Sequence, residues 1–200
     1  IVWREAVGSS VFDIGGNKFL DMTSTIFVAN VGHSNARVKQ SIVEAVEGNL
    51  ISTYAYANEA KARYLDRLLA FAGPNFEKGF LLSSGTEASE AVVKLIRLNA
   101  QKIGKGPVIV TLQGNWHGRT MGAQMLSSNT SQKEWIGFAD PNIAHCDFPL
   151  PWEVAEEDGE EFFARILNNL KSSGLDLEKD LAGFYLETFQ GWGALFYPSS

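Results

Sequence analysis

Three short polar clusters follow apolar runs in the sequence, and each carries residue types that can bind a ligand. The first is Ser84, Gly85 and Thr86, which stand between the apolar run 79–82 and a long helical pattern. Backbone amides at the start of a helix bind anions, most often phosphate, and a glycine allows the phosphate to approach the backbone. The alternative is structural, since Thr86 could simply cap the helix. The pattern alone leaves a phosphate site and a cap as equal interpretations.

The second cluster is the run GNWHGRT around Trp116, which places a large aromatic residue beside polar and flexible ones. Trp116 is either a buried core aromatic or a flat platform for a planar ring, with His117 and Gly118 next to it. A metal role for His117 is not expected, because His33 and His145 do not lie at ligand spacing from it. The sequence predicts no metal site.

The third cluster begins at Glu187, which follows the apolar run 181–186. The short run TFQG comes next, so the carboxylate opens a tight polar loop in otherwise apolar sequence. An ordinary solvated carboxylate is the alternative interpretation. The setting favours a functional carboxylate.

These clusters need a scaffold, and the pattern of apolar residues predicts one made of alternating strands and helices. A continuous apolar run such as 107–112 is typical of a strand that is buried on both faces. We predict a hairpin at 11–22, helices at 35–48, 58–73, 87–103 and 160–170, strands at 79–82, 107–112 and 181–187, and a less regular stretch at 114–151. The predicted fold class is therefore α/β with a mostly parallel sheet.

The three clusters come directly after predicted strands. Open parallel sheets bind ligands beyond the carboxyl ends of their strands. We therefore expect Thr86, Trp116 and Glu187 to lie at the same edge of the sheet. Their coincidence favours one ligand site over three unrelated structural features.

Composition and charge exclude several classes of function. The net charge is −6 and the isoelectric point is near 5.1, which argues against nucleic acid as a main partner because phosphate backbones require a basic surface. No run approaches the roughly 20 apolar residues of a membrane span, and no signal-peptide pattern opens the sequence. Cys146 is the single cysteine, so an intrachain disulfide is impossible. We expect a soluble, cytoplasmic protein with no membrane partner.

Four ordered motifs resemble the class III (ω-) aminotransferases, which use pyridoxal 5′-phosphate (PLP). They are SGTEASEAVVKLIR from Ser84, GNWHGRT from Gly114, LETFQG from Leu186 and, upstream, VFDIGGNKFLDMTSTIFVANVGHSNARVKQSI from Val11. The resemblance covers nearly all of residues 1–198.

The resemblance implies a PLP-dependent transferase of fold type I, which is aspartate-aminotransferase-like. Residues 1–50 would be the N-terminal segment of the small domain and its lead-in. Residues 51–200 would be the first, incomplete part of the large cofactor-binding domain, with a mostly parallel sheet.

The resemblance also implies roles for individual residues. The backbone amides of Gly85 and Thr86 would hold the cofactor phosphate, and Trp116 would stack on the ring in the place of the usual Tyr or Phe. The implied cofactor-binding residues are Ser84, Gly85, Thr86, Trp116, His117, Gly118 and Glu187, and the implied substrate-pocket residues are Tyr54 and Trp192.

Departures from the family pattern bear on activity. Trp192 stands where members that handle glutamate often have a Glu that pairs with a substrate-binding Arg, and an indole cannot form that pair. A bulkier or less charged amine substrate is expected. In the family's order, the Schiff-base lysine and the Asp that pairs with the ring nitrogen come after Ser200. We therefore expect an internal piece of a longer protein, without catalytic residues of its own and inactive alone.

The complete protein is expected to be a homodimer that moves an amino group from an amine or ω-amino acid to a keto acid or aldehyde. Two alternatives remain, namely a glutamate-semialdehyde aminomutase-type isomerase and a non-catalytic relative that binds a phosphorylated ligand. The aminomutase loop usually reads His-Gly-His, so the sequence HGRT favours the transaminase. Strands of the buried type would lack neighbours in the isolated chain, which we expect to aggregate or stay partly molten.

Overall fold

The computed structural model describes residues 1–50, 52–152, 154 and 158–197. The chain forms two compact units, a first unit of Ile1–Gly79 and a second unit that begins at Phe80. Each unit contains its own three-stranded sheet. The assignment of 1–50 and 51–200 to two domains stays a prediction, because it refers to the domains of complete family members.

The sheet of the first unit is antiparallel, with the strand order β1-β2-β3. Its strands are β1 (Trp3–Val7), β2 (Ser10–Asp13) and β3 (Lys18–Leu20). The turn between β2 and β3 forms because Gly16 adopts a φ of 81°, a region that favours glycine. The Asp13 side chain closes this turn by accepting from the Asn17 backbone N–H at 2.9 Å. The predicted hairpin is confirmed, and β1 is an additional strand.

Three helical segments follow in the first unit: α1 (Ser24–Phe27), α2 (Ala36–Glu47) and α3 (Glu59–Ala72). The short α1 is a left-handed turn, since all its residues have positive φ. The side chains of Asn35 and Asn58 cap α2 and α3 by accepting from backbone N–H groups of the first turn. Gly73 ends α3 with a φ of 89°. The helices predicted at 35–48 and 58–73 are confirmed.

The sheet of the second unit is parallel, with the order β5-β4-β6. Its strands are β4 (Val108–Leu112), β5 (Ile143–Cys146) and β6 (Leu181–Phe184). Every residue of β4 is buried, as expected for a central strand covered on both faces. The predicted α/β class with a parallel sheet is confirmed.

Helices and a buried cluster complete the second unit. The helices are α4 (Gly85–Lys102), α5 (Met121–Leu126) and α6 (Gly159–Ser172), with a 3₁₀ turn at Glu134–Ile136. The core is formed by Val110, Leu112, Cys146, Phe148, Ile166 and Leu170. It joins β4 and β5 to the inner face of α6. None of the helices that the structure describes is long and apolar enough to cross a membrane.

The structure corrects three of the predicted elements. The strand predicted at 79–82 is wrong, since this segment pairs with no strand among the described residues and Phe80 is 79% exposed. A short apolar run becomes a strand only where a neighbour accepts its hydrogen bonds. The stretch 114–151 is more regular than predicted, because it contains α5 and β5. The last strand ends at Phe184, so Glu187 lies in the following loop.

Candidate active site

The helix α4 begins with a side-chain cap at Ser84. The Ser84 hydroxyl accepts from the Glu87 backbone N–H at 3.3 Å, and the Glu87 carboxylate accepts from the Ser83 backbone N–H at 2.8 Å. The cap is therefore Ser84, and the interpretation of Thr86 as the cap is wrong. The reason is that a cap has extended backbone angles, which Ser84 has with a φ of −149°.

The next two residues leave the first turn of α4 open to an anion. Within the described part of the chain, no acceptor bonds the backbone N–H of Gly85 or Thr86. Gly85 is exposed, and a Cβ added to it would meet nothing within 4 Å. Unpaired amides and the positive end of the helix dipole favour a negatively charged group here. Ser84, Gly85 and Thr86 therefore fit the phosphate of the predicted cofactor.

The side chain of Thr86 joins this helix start to the HGRT loop. Its Oγ1 lies 2.8 Å from the Thr120 Oγ1 and accepts from the Thr120 backbone N–H at 3.3 Å. Gly118 passes directly beside it, since a Cβ on Gly118 would lie 2.6 Å from the Thr86 Cβ. Only a glycine permits this approach, and its φ of 138° also favours glycine.

His117 is a buried anchor of the same loop. Its backbone carbonyl accepts from the Ser89 hydroxyl at 2.7 Å, and its ring packs edge-on against Tyr185 with centroids 4.5 Å apart. The ring Nε2 lies 3.3 Å from the Thr111 Oγ1. Burial, with a smaller contribution from the charge of His145, lowers the pKa of His117 to about 4. The imidazole is therefore neutral at physiological pH.

Trp116 lies at the surface of the loop and contacts two other predicted site residues, Glu187 and Trp192. Its backbone N–H donates to the Glu187 Oε2 at 3.1 Å. Its indole stacks on Trp192 with centroids 5.1 Å apart and planes 13° from parallel. The Arg119 guanidinium lies 5.4 Å from the Trp116 ring centroid. Trp116 is only partly buried, so it is not a core aromatic.

Glu187 is a half-buried carboxylate in the loop after β6. Burial raises its pKa, and hydrogen bonds from the backbone N–H groups of Trp116 and Gly191 partly offset that increase. Its backbone carbonyl accepts from the Tyr197 hydroxyl at 3.0 Å. The interpretation of Glu187 as an ordinary solvated carboxylate therefore does not hold.

The predicted pocket residues differ in their surroundings. Trp192 stacks on Trp116 and is 64% exposed. Tyr54 belongs to the first unit, where it is 97% exposed, and its place in a substrate pocket stays a prediction. Among the residues that the structure describes, no group of three or more His, Cys, Asp or Glu side chains could hold a metal ion.

Two residues that the sequence motifs did not single out hold this site together. Glu90 on α4 accepts hydrogen bonds from the start of α5. Gln190 is 1% exposed, and its side-chain amide donates to the backbone carbonyl of Gln113 at the end of β4. The available signals were weak: Glu90 shares a helix face with Thr86 by its spacing of four residues, and Gln190 lies three residues after Glu187.

Comparison with known proteins gives a family. The family model "Aminotransferase class-III" matches residues 1–200. Acetylornithine aminotransferase of Xanthomonas campestris is 33% identical over 198 residues, which are 98% of this chain and 44% of that protein. Diaminobutyrate–2-oxoglutarate transaminase of Vibrio cholerae is 31% identical over 201 residues, 98% of this chain and 46% of that protein.

The fold has solved relatives of the same kind. The structure of taurine:2-oxoglutarate aminotransferase from Bifidobacterium kashiwanohense, in complex with PLP and glutamate, matches with a TM-score of 0.87 at 23% identity, over 100% of this chain and 45% of that one. The chain thus spans less than half the length of these relatives. The likeness confirms the predicted PLP-transferase fold. The chain belongs to the class III aminotransferases, and the pyridoxal 5′-phosphate predicted from its motifs is the cofactor of that family.

Proposed function

We propose that the complete protein is a PLP-dependent aminotransferase that moves an amino group from an amine or ω-amino acid to a keto acid or aldehyde. The observation that carries the proposal is the joining of three distant segments at one place. The start of α4 bonds the HGRT loop through Thr86, and that loop bonds Glu187 through the backbone of Trp116. This chain would supply much of the cofactor-holding surface.

Each residue of this surface has a role that its surroundings support. The open amides of Gly85 and Thr86 would hold the cofactor phosphate, and the indole of Trp116 would cover one side of the ring. When bound, PLP takes up the amino group of the donor and passes it to the acceptor in two half-reactions. Neutral His117 would keep the loop in place from beneath without adding charge.

Glu187 would act as a polar wall of the site. Its carboxylate holds the Trp116 backbone, and its raised pKa makes it easier to protonate than an exposed glutamate. It can therefore accept a hydrogen bond from a bound polar group or hold a proton beside it. The Tyr197 hydroxyl fixes the Glu187 backbone on the opposite side of the loop.

Trp192 supports a proposal about the substrate. Its indole stacks on Trp116, and an indole cannot form an ion pair with a substrate-binding arginine. We propose that the protein takes a bulkier or less charged amine as the donor and does not handle 2-oxoglutarate through such an arginine. The two relatives with 2-oxoglutarate in their names provide the comparison, because this proposal expects the present protein to differ from them in its use of that acceptor.

Further features of the complete protein are proposals of the same kind. A homodimer is supported by the many large apolar side chains that this chain exposes, such as Phe71 at 90% and Phe80 at 79%. A cytoplasmic location is supported by a single cysteine that is buried. The family resemblance implies that the Schiff-base lysine is not among these 200 residues, and we therefore propose that they do not transaminate alone.

The test uses the complete gene product, purified and loaded with PLP. Amino transfer is measured from a panel of aryl amines, ω-amino acids and diamines, with pyruvate, 2-oxoglutarate or an aldehyde as acceptor. The proposal expects transfer that needs both a donor and an acceptor. Rearrangement of glutamate semialdehyde without an acceptor would instead identify the aminomutase, and PLP binding without any reaction would identify the non-catalytic relative.

A matched pair of variants tests the role of Trp192. Trp192→Glu should shift acceptor use toward 2-oxoglutarate, whereas Trp192→Phe should keep the wild-type preference because it keeps an aromatic ring against Trp116. An unchanged preference in Trp192→Glu would show that this position does not decide the substrate class.

A further inference from the structure

We propose that Glu90 is a positioning residue, whose carboxylate ties the HGRT loop to the helix start that holds the cofactor phosphate. The inference rests on the proposed cofactor use. The inference adds to that proposal the group that fixes the geometry of the site. Glu90 lies within the SGTEASEAVVKLIR segment, but it is not among the residues to which the motifs assigned a cofactor contact.

A single carboxylate oxygen of Glu90 receives three hydrogen bonds. The Glu90 Oε1 accepts from the Thr120 hydroxyl at 2.6 Å, from the Gly122 backbone N–H at 2.8 Å and from the Ala123 backbone N–H at 3.1 Å. All these donors lie at the start of α5. The Thr120 side chain, although at the cap position of α5, makes no capping bond itself. Glu90 therefore supplies the cap that α5 lacks, from a helix 30 or more positions away in the chain.

The direction of each hydrogen bond in this network follows from the number of hydrogens that each group can donate. The Thr120 hydroxyl has one hydrogen, which it donates to Glu90. The 2.8 Å contact between the Thr86 and Thr120 hydroxyl oxygens must then be a bond that Thr86 donates. The Thr86 oxygen in turn accepts from the Thr120 backbone N–H. The Thr86 hydroxyl hydrogen is thus used within the protein, so Thr86 would serve the phosphate through its backbone amide.

The close packing around the Glu90 carboxylate indicates that its bonds fix the position of the start of α5, in addition to satisfying the backbone donors there. A Cβ on Gly122 would lie 3.0 Å from the Glu90 Cδ, so the carboxylate and the α5 backbone touch only because residue 122 is glycine. Gly118 makes the same kind of approach to Thr86 on the other side of Thr120. Thr86 and Glu90 are four residues apart, so they present one face of α4 to the loop. Without Glu90, Thr86 and the Ser89 hydroxyl would still bond the HGRT loop, but no group of α4 would hold the start of α5.

The test measures cofactor affinity in the complete gene product stripped of PLP. Wild type, Glu90→Ala and Glu90→Gln are titrated with PLP and with pyridoxal, which lacks the phosphate. Glu178→Ala is the control, because it removes an exposed carboxylate from the loop before β6. Melting temperatures of all four proteins are recorded alongside.

The positioning role predicts a loss that depends on the phosphate. Glu90→Ala should bind PLP about tenfold more weakly or worse, with pyridoxal binding changed less than about twofold, since the misplaced groups are the phosphate-holding ones. Glu90→Gln keeps an acceptor oxygen and should fall in between. If Glu90→Ala does not fold, Gly122→Ala should give the same phosphate-dependent loss by pushing the carboxylate away.

Several results would overturn the proposal. An equal loss for PLP and pyridoxal, or a lower melting temperature with unchanged affinities, would reduce Glu90 to a fold-stabilising cap. Tighter PLP binding in Glu90→Gln would show that its charge opposes the phosphate more than its bonds help. Wild-type protein that binds no PLP would overturn the proposed function as well, which distinguishes that failure from an effect limited to Glu90.

Discussion

The two compact units form helices of similar length, but only one of them packs its helices onto a buried core. Among the described residues of the first unit, Val11 is the one hydrophobic residue that is fully buried. The apolar face of α2 is open, with Val38 48% and Ile42 59% exposed. In the second unit, β4 is buried along its whole length, and Ile166 and Leu170 of α6 pack into the same cluster.

Different interactions hold the elements in the two units. The first unit uses polar contacts over short distances along the chain, such as the caps at Asn35 and Asn58 and the 2.8 Å hydrogen bond between Asp21 and His33. The second unit adds contacts between distant segments, such as the 2.6 Å bond from Arg97 on α4 to Asp140 before β5. Caps decide where a helix begins, but burial of apolar surface supplies most of its stability. The candidate site belongs to the unit with the core.

The largest expected effect is a difference in hydrogen exchange between the units of the isolated 200-residue chain. Backbone amides of β4 should exchange at least about 100-fold more slowly than those of α2, because a 12-residue helix with an open apolar face frays readily. Exchange followed by peptide mass spectrometry gives both values in one sample. The exposed apolar faces should also make this chain aggregate or remain partly molten.

The outcome that would break this comparison is uniform protection. If α2 and β4 exchange alike and the isolated chain melts in one sharp transition, the first unit has a stability that its open surface does not explain. If the complete gene product protects α2 and the isolated chain does not, the missing burial comes from outside these residues.

A smaller effect is expected from removing one apolar side chain in each unit. Leu112→Ala empties part of a buried cluster and should cost about 2–4 kcal/mol of local stability, read from the slowest-exchanging amides of β4. Ile42→Ala is the matched change on α2, and it should cost less than about 1 kcal/mol in the isolated chain because Ile42 is 59% exposed. Similar costs at both positions would contradict the contrast between the units.

Sequence patterns predicted the elements whose signals are local. The two asparagine caps and Gly73 placed α2 and α3, and the continuous apolar run at 107–112 placed β4. The segment 79–82 failed because pairing depends on a neighbouring strand, which no local pattern reveals. The short strand β5 was missed because His145 interrupts its apolar residues.

The sequence predicted the residues of the candidate site better than the contacts between them. The sequence indicated that the regions of Thr86, Trp116 and Glu187 converge, and the contacts between them agree with that expectation. The role of Glu90 was invisible, since a glutamate in an amphipathic helix looks like an exposed residue and its partners lie 30 or more positions along the chain. The stacking of Trp192 on Trp116 likewise depends on a loop geometry that residue types do not specify.

The smallest expected effect is a difference between the two units in how much stability each loses in acid. Burial lowers the pKa of His117 to about 4, from an ordinary value of 6.5. Between pH 6.5 and pH 4, His117 is therefore protonated in the unfolded chain but neutral in the folded loop. The stability that is present above pH 6.5 is lost as the pH falls toward 4. The loss should be about 1–3 kcal/mol in the second unit. His145, whose pKa burial also lowers, contributes in the same direction.

The first unit should not weaken in the same range. Hydrogen bonding to His33 holds the pKa of Asp21 well below its usual value, so the carboxylate stays ionised through this window. Hydrogen exchange of the complete gene product between pH 7 and pH 4, corrected for the intrinsic pH dependence of exchange, gives both responses. His117→Gln can keep a bond to Thr111 but cannot titrate, so part of the acid slope around β4 should disappear. An unchanged slope in this variant, or an equal loss in the β1-β2-β3 sheet, would show that the buried imidazole is not what makes the second unit acid-sensitive.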